Sequence, residues 1–203
     1  MKNSNSKKEI KMILLGESGV GKTNLINVTL GHSFNENESP TFSNSFLEKK
    51  FQIDSKIYKL QIWDTIGQEK YRHLTKLFFK DSKIVILVYD KSDKKTFKGV
   101  QYWVDEVKKE LGDDMIMGLV GNKDDKEESI DDVLEDEARQ YAKSLNIKFK
   151  MVSAKINGKR FENFVKELLI DYINKNGGNI QLDNDRIVLN KNNKVKKKSG
   201  FRC

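Results

Sequence analysis

The chain has 203 residues, 37% of them hydrophobic and 33% charged, which is apolar material for one core rather than two. No apolar run approaches the roughly 20 residues that cross a bilayer, and the start "MKNSNSKKEI" lacks the apolar stretch of a secretory signal, so a chain made in the cytosol is expected. The net charge of +8 is concentrated at one end: Gly177 to Cys203 carries seven basic residues against two acidic ones, and no nucleic-acid recognition motif accompanies it.

In chain order, "IKMILL" (Ile10 to Leu15) reads as a short buried strand, and Lys22 to Leu30 as a helix carrying Leu25, Ile26, Val28 and Leu30. "SFLEKKFQI" and "YKLQIWDT" read as two strands joined in a hairpin at "DSK", followed by a helical stretch over Glu69 to Phe79. "IVILVYD" (Ile84 to Asp90) is the most apolar strand. A helix over Thr96 to Leu111, a strand "MIMGLVG", a helix near Val133 to Ser144, a strand "FKMVS" and a helix over Phe161 to Asn174 complete the series. Six strands and about five helices in alternation predict an α/β fold, a mostly parallel sheet with helices on both faces. After "NGGN" the pattern gives way to an Asn- and Lys-rich tail, expected to be flexible and to span on the order of 30 Å as a coil. The expected organisation is therefore a flexible 1–8, a folded domain over 9–176 and a basic tail over 177–203. His32 and His73, the only histidines, are far apart in sequence and read as ordinary surface or boundary residues.

The chemistry begins at Gly16-Glu17-Ser18-Gly19-Val20-Gly21-Lys22-Thr23, which matches G-x-x-x-x-G-K-[ST] between a strand and a helix. Glycines let backbone N–H groups wrap phosphates without Cβ clashes, Lys22 sets a point charge against the β- and γ-phosphates, and the Thr23 hydroxyl suits Mg²⁺. Asn122-Lys123-Asp124-Asp125 follows the strand "GLVG". A carboxylate at Asp125 accepts from the guanine N1–H and 2-amino group together, whereas adenine leaves it unpaired. Ser153-Ala154-Lys155 ends the next strand and would converge on the same mouth of the sheet.

With these motifs in order, together with "SPTF" and "KLQIWDTIGQE", the chain resembles a small GTPase of the Ras superfamily, nearest to the Rab family, from about Glu9 to Asn174. "KLQIWDT", "GQEKYRHLT" and "LVYDKSDKKTF" carry the likeness to Rab. The resemblance implies a P-loop GTPase fold and a switch that binds Mg²⁺ with GTP or GDP and hydrolyses GTP slowly. It implies that Glu17 to Asn24 cradle the phosphates and that Phe34 stacks on guanine. Thr41 would close over Mg²⁺ and the γ-phosphate, and Asp64 would hold the ion through water. The Gly67 amide would contact the γ-phosphate, and Gln68 would orient the attacking water. Asn122, Lys123, Asp125, Ser153, Ala154 and Lys155 would form the base pocket. The implied catalytic group is Lys22, Thr41, Gly67 and Gln68, and the implied metal group is Thr23, Thr41 and Asp64. Vesicle and membrane traffic, effectors, an exchange factor, an activating protein and a prenyl-binding escort are implied with it, for a monomer attached reversibly to the cytosolic face of a membrane.

Three departures from the family pattern stand out. Ile66 occupies a position where Ala is typical, which motivates an alternative reading as a GTP- or GDP-binding scaffold with little turnover. Ser43-Asn44 replaces a Gly and an apolar residue. Cys203 is the only cysteine, where Rab proteins usually end in a pair, so at most one prenyl group is expected, assisted by Lys194 to Lys198. No arginine lies between Gly21 and Thr41 to serve as a built-in catalytic group, so hydrolysis on the roughly 10⁻⁴ s⁻¹ scale is expected. Alternation in "YKLQIW" puts Trp63 on the polar face with Lys59 and Gln61, and Phe46 falls with Glu48 and Lys50. With Phe78 they resemble the aromatic triad through which Rab proteins engage effectors.

Overall fold

A computed structural model describes residues 9–39, 41, 45–65, 78–130, 132–178 and 180. The elements are β1 (Glu9–Leu15), α1 (Lys22–Thr29), β2 (Ser45–Ile53), β3 (Lys56–Asp64), β4 (Ile84–Asp90), α2 (Lys94–Leu111), β5 (Ile116–Asn122), α3 (Glu135–Ser144), β6 (Lys148–Met151) and α4 (Gly158–Lys175). Four helices stand among the described residues. The fifth, expected over Glu69 to Phe79, falls almost wholly outside them.

The six strands form one sheet in the order β2-β3-β1-β4-β5-β6. Every neighbouring pair is parallel except β2 with β3. That pair is the expected hairpin: Ile53 opposes Lys56, and the turn between them carries Asp54 at a φ of 52°. Positive φ in a two-residue turn matches the twist of the strands it joins.

Alternation along β1 divides the core. Met12 and Leu14 face one way, onto Leu25 and Ile26 of α1 and Phe161, Phe164 and Leu168 of α4. Ile13 and Leu15 face the other, onto Trp103, Val104 and Val107 of α2 and Ala138 and Ala142 of α3. β4 is buried at all seven positions, which is why its sequence is a continuous apolar run rather than an alternating one. Helix packing is close enough on β5 that a Cβ on Gly118 would lie 2.8 Å from Leu168 and 2.9 Å from Phe164.

At three element ends the difference from the sequence expectation is set by a side chain. α2 starts at Lys94 because the Asp93 carboxylate accepts from the Lys95 N–H, and α4 starts at Gly158 because Asn157 accepts from the Arg160 N–H. β6 stops at Met151 rather than Ser153, since the Ser153 hydroxyl accepts from the N–H groups of Lys155 and Ile156 and turns the chain.

The strand order reverses around β1, with β3 on one side and β4 on the other. In such sheets the carboxyl ends of the strands open a crevice at the reversal. Asp64, Asp90 and Asn122 are the last residues of β3, β4 and β5, so their side chains are delivered to that edge.

Candidate functional site: a polar cavity at the carboxyl edge of the sheet

A cavity of about 390 Å³ opens at this edge. Its floor is the turn between β1 and α1, where Ser18, Gly19, Gly21, Lys22, Thr23 and Asn24 line it. Gly16 has φ 151° and Gly21 has φ 91°; a Cβ on the first would collide with the Val88 carbonyl and one on the second would lie 2.5 Å from Asn122 Nδ2. Only glycine fits both the conformation and the space. α1 has no side-chain cap at its N-terminus. Its first N–H groups therefore lack a capping side chain and suit an anion.

Lys22 is 5% exposed and donates to the carbonyls of Gly16, at 2.8 Å, and Glu17, at 2.9 Å. Burial pulls its ammonium down to about 8, against the favourable charges of Asp64 and Glu17. An anion brought against it would offset that burial.

Thr23, Thr41 and Asp64 meet beside it. Thr23 Oγ1 donates to Asp64 Oδ2 at 2.8 Å and lies 2.8 Å from Thr41 Oγ1, which itself reaches Asp64 Oδ2 at 3.3 Å. Asp64 Oδ1 is buried without a hydrogen-bond partner among the described residues. Burial raises the Asp64 carboxyl above its usual range, opposed by the two threonine hydroxyls and Lys22. Two hydroxyls and an incompletely satisfied carboxylate are a hard oxygen set of the kind that suits a small divalent cation.

At the other end of the cavity, Asn122 ties two loops together: its Nδ2 donates to the Val20 carbonyl at 2.8 Å, and its Oδ1 accepts from the Ala154 N–H at 3.2 Å. Asp125 Oδ1 accepts from Ser153 Oγ at 2.5 Å, which fixes the carboxylate at the cavity wall. Lys123 has φ 64° and its ammonium pairs with Asp90 Oδ2 at 2.7 Å. Burial works against the charged form of Asp90, but this pair and Ser92 outweigh it and hold the carboxyl below its usual range. Phe34 is half-buried on the first core cluster and lines the cavity with Ala154 and Lys155.

A profile of the Ras family matches residues 11–174. The chain belongs to the Ras family. Ras-related protein Rab-21 of Mus musculus is 40% identical over 161 residues, 79% of this chain and 70% of that protein. Rab-21 of Homo sapiens is 40% identical over 161 residues, covering 79% and 69%. Rab-21 of the sponge Geodia cydonium is 40% identical over 145 residues, covering 71% and 63%. This Ras-family chain is accordingly a Rab-type small GTPase of vesicle traffic, which binds guanine nucleotide, hydrolyses GTP to GDP and works through regulators and effectors.

Within this GTPase the sequence-expected residues fall in three groups. Ser18, Gly19, Gly21, Lys22, Thr23, Asn24, Phe34, Thr41, Asn122, Lys123, Asp125, Ala154 and Lys155 line one cavity. Glu17, Val20 and Ser153 sit behind that lining, through the contacts above, and Asp64 lies one hydrogen bond from Thr23. Ile66, Gly67, Gln68, Ser43, Asn44 and Cys203 lie outside the described residues. Sequence reasoning missed Asp90, Lys126 and Thr65. Lys126 and Thr65 also line the cavity, and the Thr65 hydroxyl donates to the Leu14 carbonyl at 2.5 Å. The one signal for Asp90 was a carboxylate ending the most apolar strand.

The aromatic trio lies on β2 and β3 and just ahead of β4. Phe46 stacks on Trp63 with centroids 5.1 Å apart, and the Phe78 ring, tilted by 40°, lies 5.7 Å from Trp63. Phe46 is 52% exposed, while Trp63 is half-buried against the second core cluster with Lys11 Nζ 4.5 Å above its ring. Among the described residues no helix is long and apolar enough to cross a membrane.

Proposed function

We propose that the cavity is a guanine-nucleotide and Mg²⁺ site, used as a slow molecular timer on a membrane surface. The convergence of three separate segments, Lys22 and Thr23, Asn122 and Asp125 on the cavity lining and Asp64 bonded to Thr23 behind it, is the observation that supports it most. In this reading Glu17 to Asn24 cradle the phosphates by backbone N–H groups, and Lys22 exchanges its carbonyl partners for the β- and γ-phosphates. Asp125 accepts from the guanine N1–H and 2-amino group, with Ser153 holding the carboxylate in place. Asn122 fixes the distance between phosphate and base loops, Lys123 and Phe34 flank the base, and Ala154 and Lys155 close the pocket.

The residues at Thr23, Thr41 and Asp64 fit Mg²⁺, because two hydroxyls meet a carboxylate whose Oδ1 is buried with no partner among the described residues. Bound there, the ion supplies positive charge against the phosphate oxygens. Thr41 then senses the γ-phosphate, Gly67 contacts it, and Gln68 orients the attacking water. Loss of the γ-phosphate releases the segments around Thr41 and Gly67, and partners read that change. Phe46, Trp63 and Phe78 form the patch on which effectors dock.

The test is retention of labelled nucleotide by the purified chain in Mg²⁺. One equivalent of GTP or GDP should survive desalting, ATP should not, and chelation of the metal should speed release. Equal retention of ATP would overturn the guanine reading.

The tail over 177–203, with a single prenyl group on Cys203 and the basic run Lys194 to Lys198, is proposed to give reversible attachment to an anionic cytosolic membrane face. One lipid binds marginally, and each basic residue adds about 1 kcal/mol near such a surface. A Cys203→Ser chain recovered with membranes as fully as its parent would contradict this.

A further inference from the structure

The segment from Phe34 to Ser39 borders the cavity, and one buried side chain fastens it. Asn24 follows the cavity threonine Thr23 in α1 and is 9% exposed. Its Nδ2 donates to the Asn35 carbonyl at 2.8 Å, and its Oδ1 accepts from the Asn35 N–H at 2.9 Å. A carboxamide thus pairs with both backbone groups of one residue, as a neighbouring β-strand would. Serine, alanine or aspartate in its place lacks one or both halves of that match. The carboxamide is also neutral, so it adds no negative charge beside a phosphate site.

The remaining side-chain fasteners described along this segment are weaker or more exposed. Asn27 Nδ2 and Asn35 Nδ2 each reach Glu38 Oε2 at 3.4 Å. Lys155 pairs with Glu36 at 3.3 Å, with side chains 50% and 76% exposed. Exposed pairs of this kind contribute little, whereas the Asn24 pair is part-buried, and its opening strips the buried Asn24 carboxamide of both partners.

Resting on the nucleotide reading above, we propose that Asn24 is a positioning residue: its side chain clamps Asn35, holds Phe34 and the 34–39 segment over bound nucleotide, and so sets how slowly GDP leaves. Release requires the clamp to open. An exchange factor that lifts this segment works against Asn24 first, before any contact with the phosphates. The side chain is committed to the segment, so the contribution of Asn24 to the nucleotide itself is limited to its backbone.

The test uses the full chain loaded with GDP in Mg²⁺, comparing wild type with Asn24→Ser, Asn24→Ala and Glu36→Gln by GDP release and by amide hydrogen exchange. Both Asn24 variants should release GDP at least about fivefold faster, and exchange over 31–39 should accelerate while that over Leu25 to Thr29 stays as in wild type. Glu36→Gln should change release by less than about twofold. Wild-type release rates in both Asn24 variants would overturn the clamp, as would faster exchange throughout α1, which marks general destabilisation. Glu36→Gln acting as strongly as Asn24→Ser would also overturn it, by assigning closure to the exposed ion pair. Wild type that retains no GDP would overturn the nucleotide reading and the clamp with it, and that result is distinct from a wild type that retains GDP beside variants that release it no faster.

Discussion

In the proposed site a single carboxylate, Asp125, carries the choice of base. Asp125 is oriented by Ser153, and a guanine donor pair against it is a charge-assisted interaction that adenine cannot make. Hydrogen bonds to charged groups contribute about 1.5–3 kcal/mol, so Asp125→Ala should weaken GDP binding roughly 10- to 100-fold. Competition between labelled GDP and unlabelled GTP or ATP checks this, and an unchanged GDP affinity would remove Asp125 from the base pocket. Asp125 was legible because the chemistry demands one residue type at one spacing after a strand. Asp90 was not legible as the partner of Lys123: the two are separated by a crossover helix, and only the parallel register that sets Asp90 beside Asn122 brings them together. The side-chain role of Asn24 was equally hidden, since α1 ends at Thr29 and the irregular chain beyond it carries no period that would place Asn35 beside Asn24.

At the scale of elements, periodicity found the strands and helices of the described residues and missed several of their ends by one to three residues. Three of these differences lie where Asp93, Asn157 and Ser153 redirect backbone hydrogen bonds, an effect of single side chains rather than of pattern. Alternation in β3 correctly separated Leu60 and Ile62, which are buried on the first cluster, from Trp63. It did not show that Trp63 is half-buried and in ring contact with both Phe46 and Phe78, with Lys11 over its ring. Aromatic contacts of this kind contribute about 0.5–1.5 kcal/mol each, so the trio is a pre-ordered patch rather than three loose rings. Trp63→Ala should therefore lower capture of partners by the GTP-loaded chain by about tenfold or more, because interface aromatics carry much of the binding free energy. Affinity capture with GDP retention as the control for folding measures it, and undiminished capture by a variant that holds nucleotide would place the docking surface elsewhere.

For the whole molecule, the fold's contribution is to bring separate motifs to one edge. Strands β1, β3, β4 and β5 run parallel, so their carboxyl ends reach one edge: Asn122 lines the cavity there, and Gly16, Asp64 and Asp90 stand behind it, bonded to the lining Lys22, Thr23 and Lys123. That convergence follows from βαβ alternation, which is why the fold class, and the meeting of the spaced motifs at one cavity, were readable from the sequence. The net charge of +8 divides between a near-balanced body and a basic tail, which fits a catalytic domain that works beside an anionic surface. Turnover is the property on which the timer stands. The measurement that tests it most directly is single-turnover phosphate release from the chain loaded with Mg²⁺-GTP, beside Gln68→Leu. The expected result is slow wild-type release, on the order of 10⁻⁴ s⁻¹, reduced at least about tenfold in the variant. Intact GTP still bound to the wild-type chain after many hours, or equal release from both proteins, would contradict it.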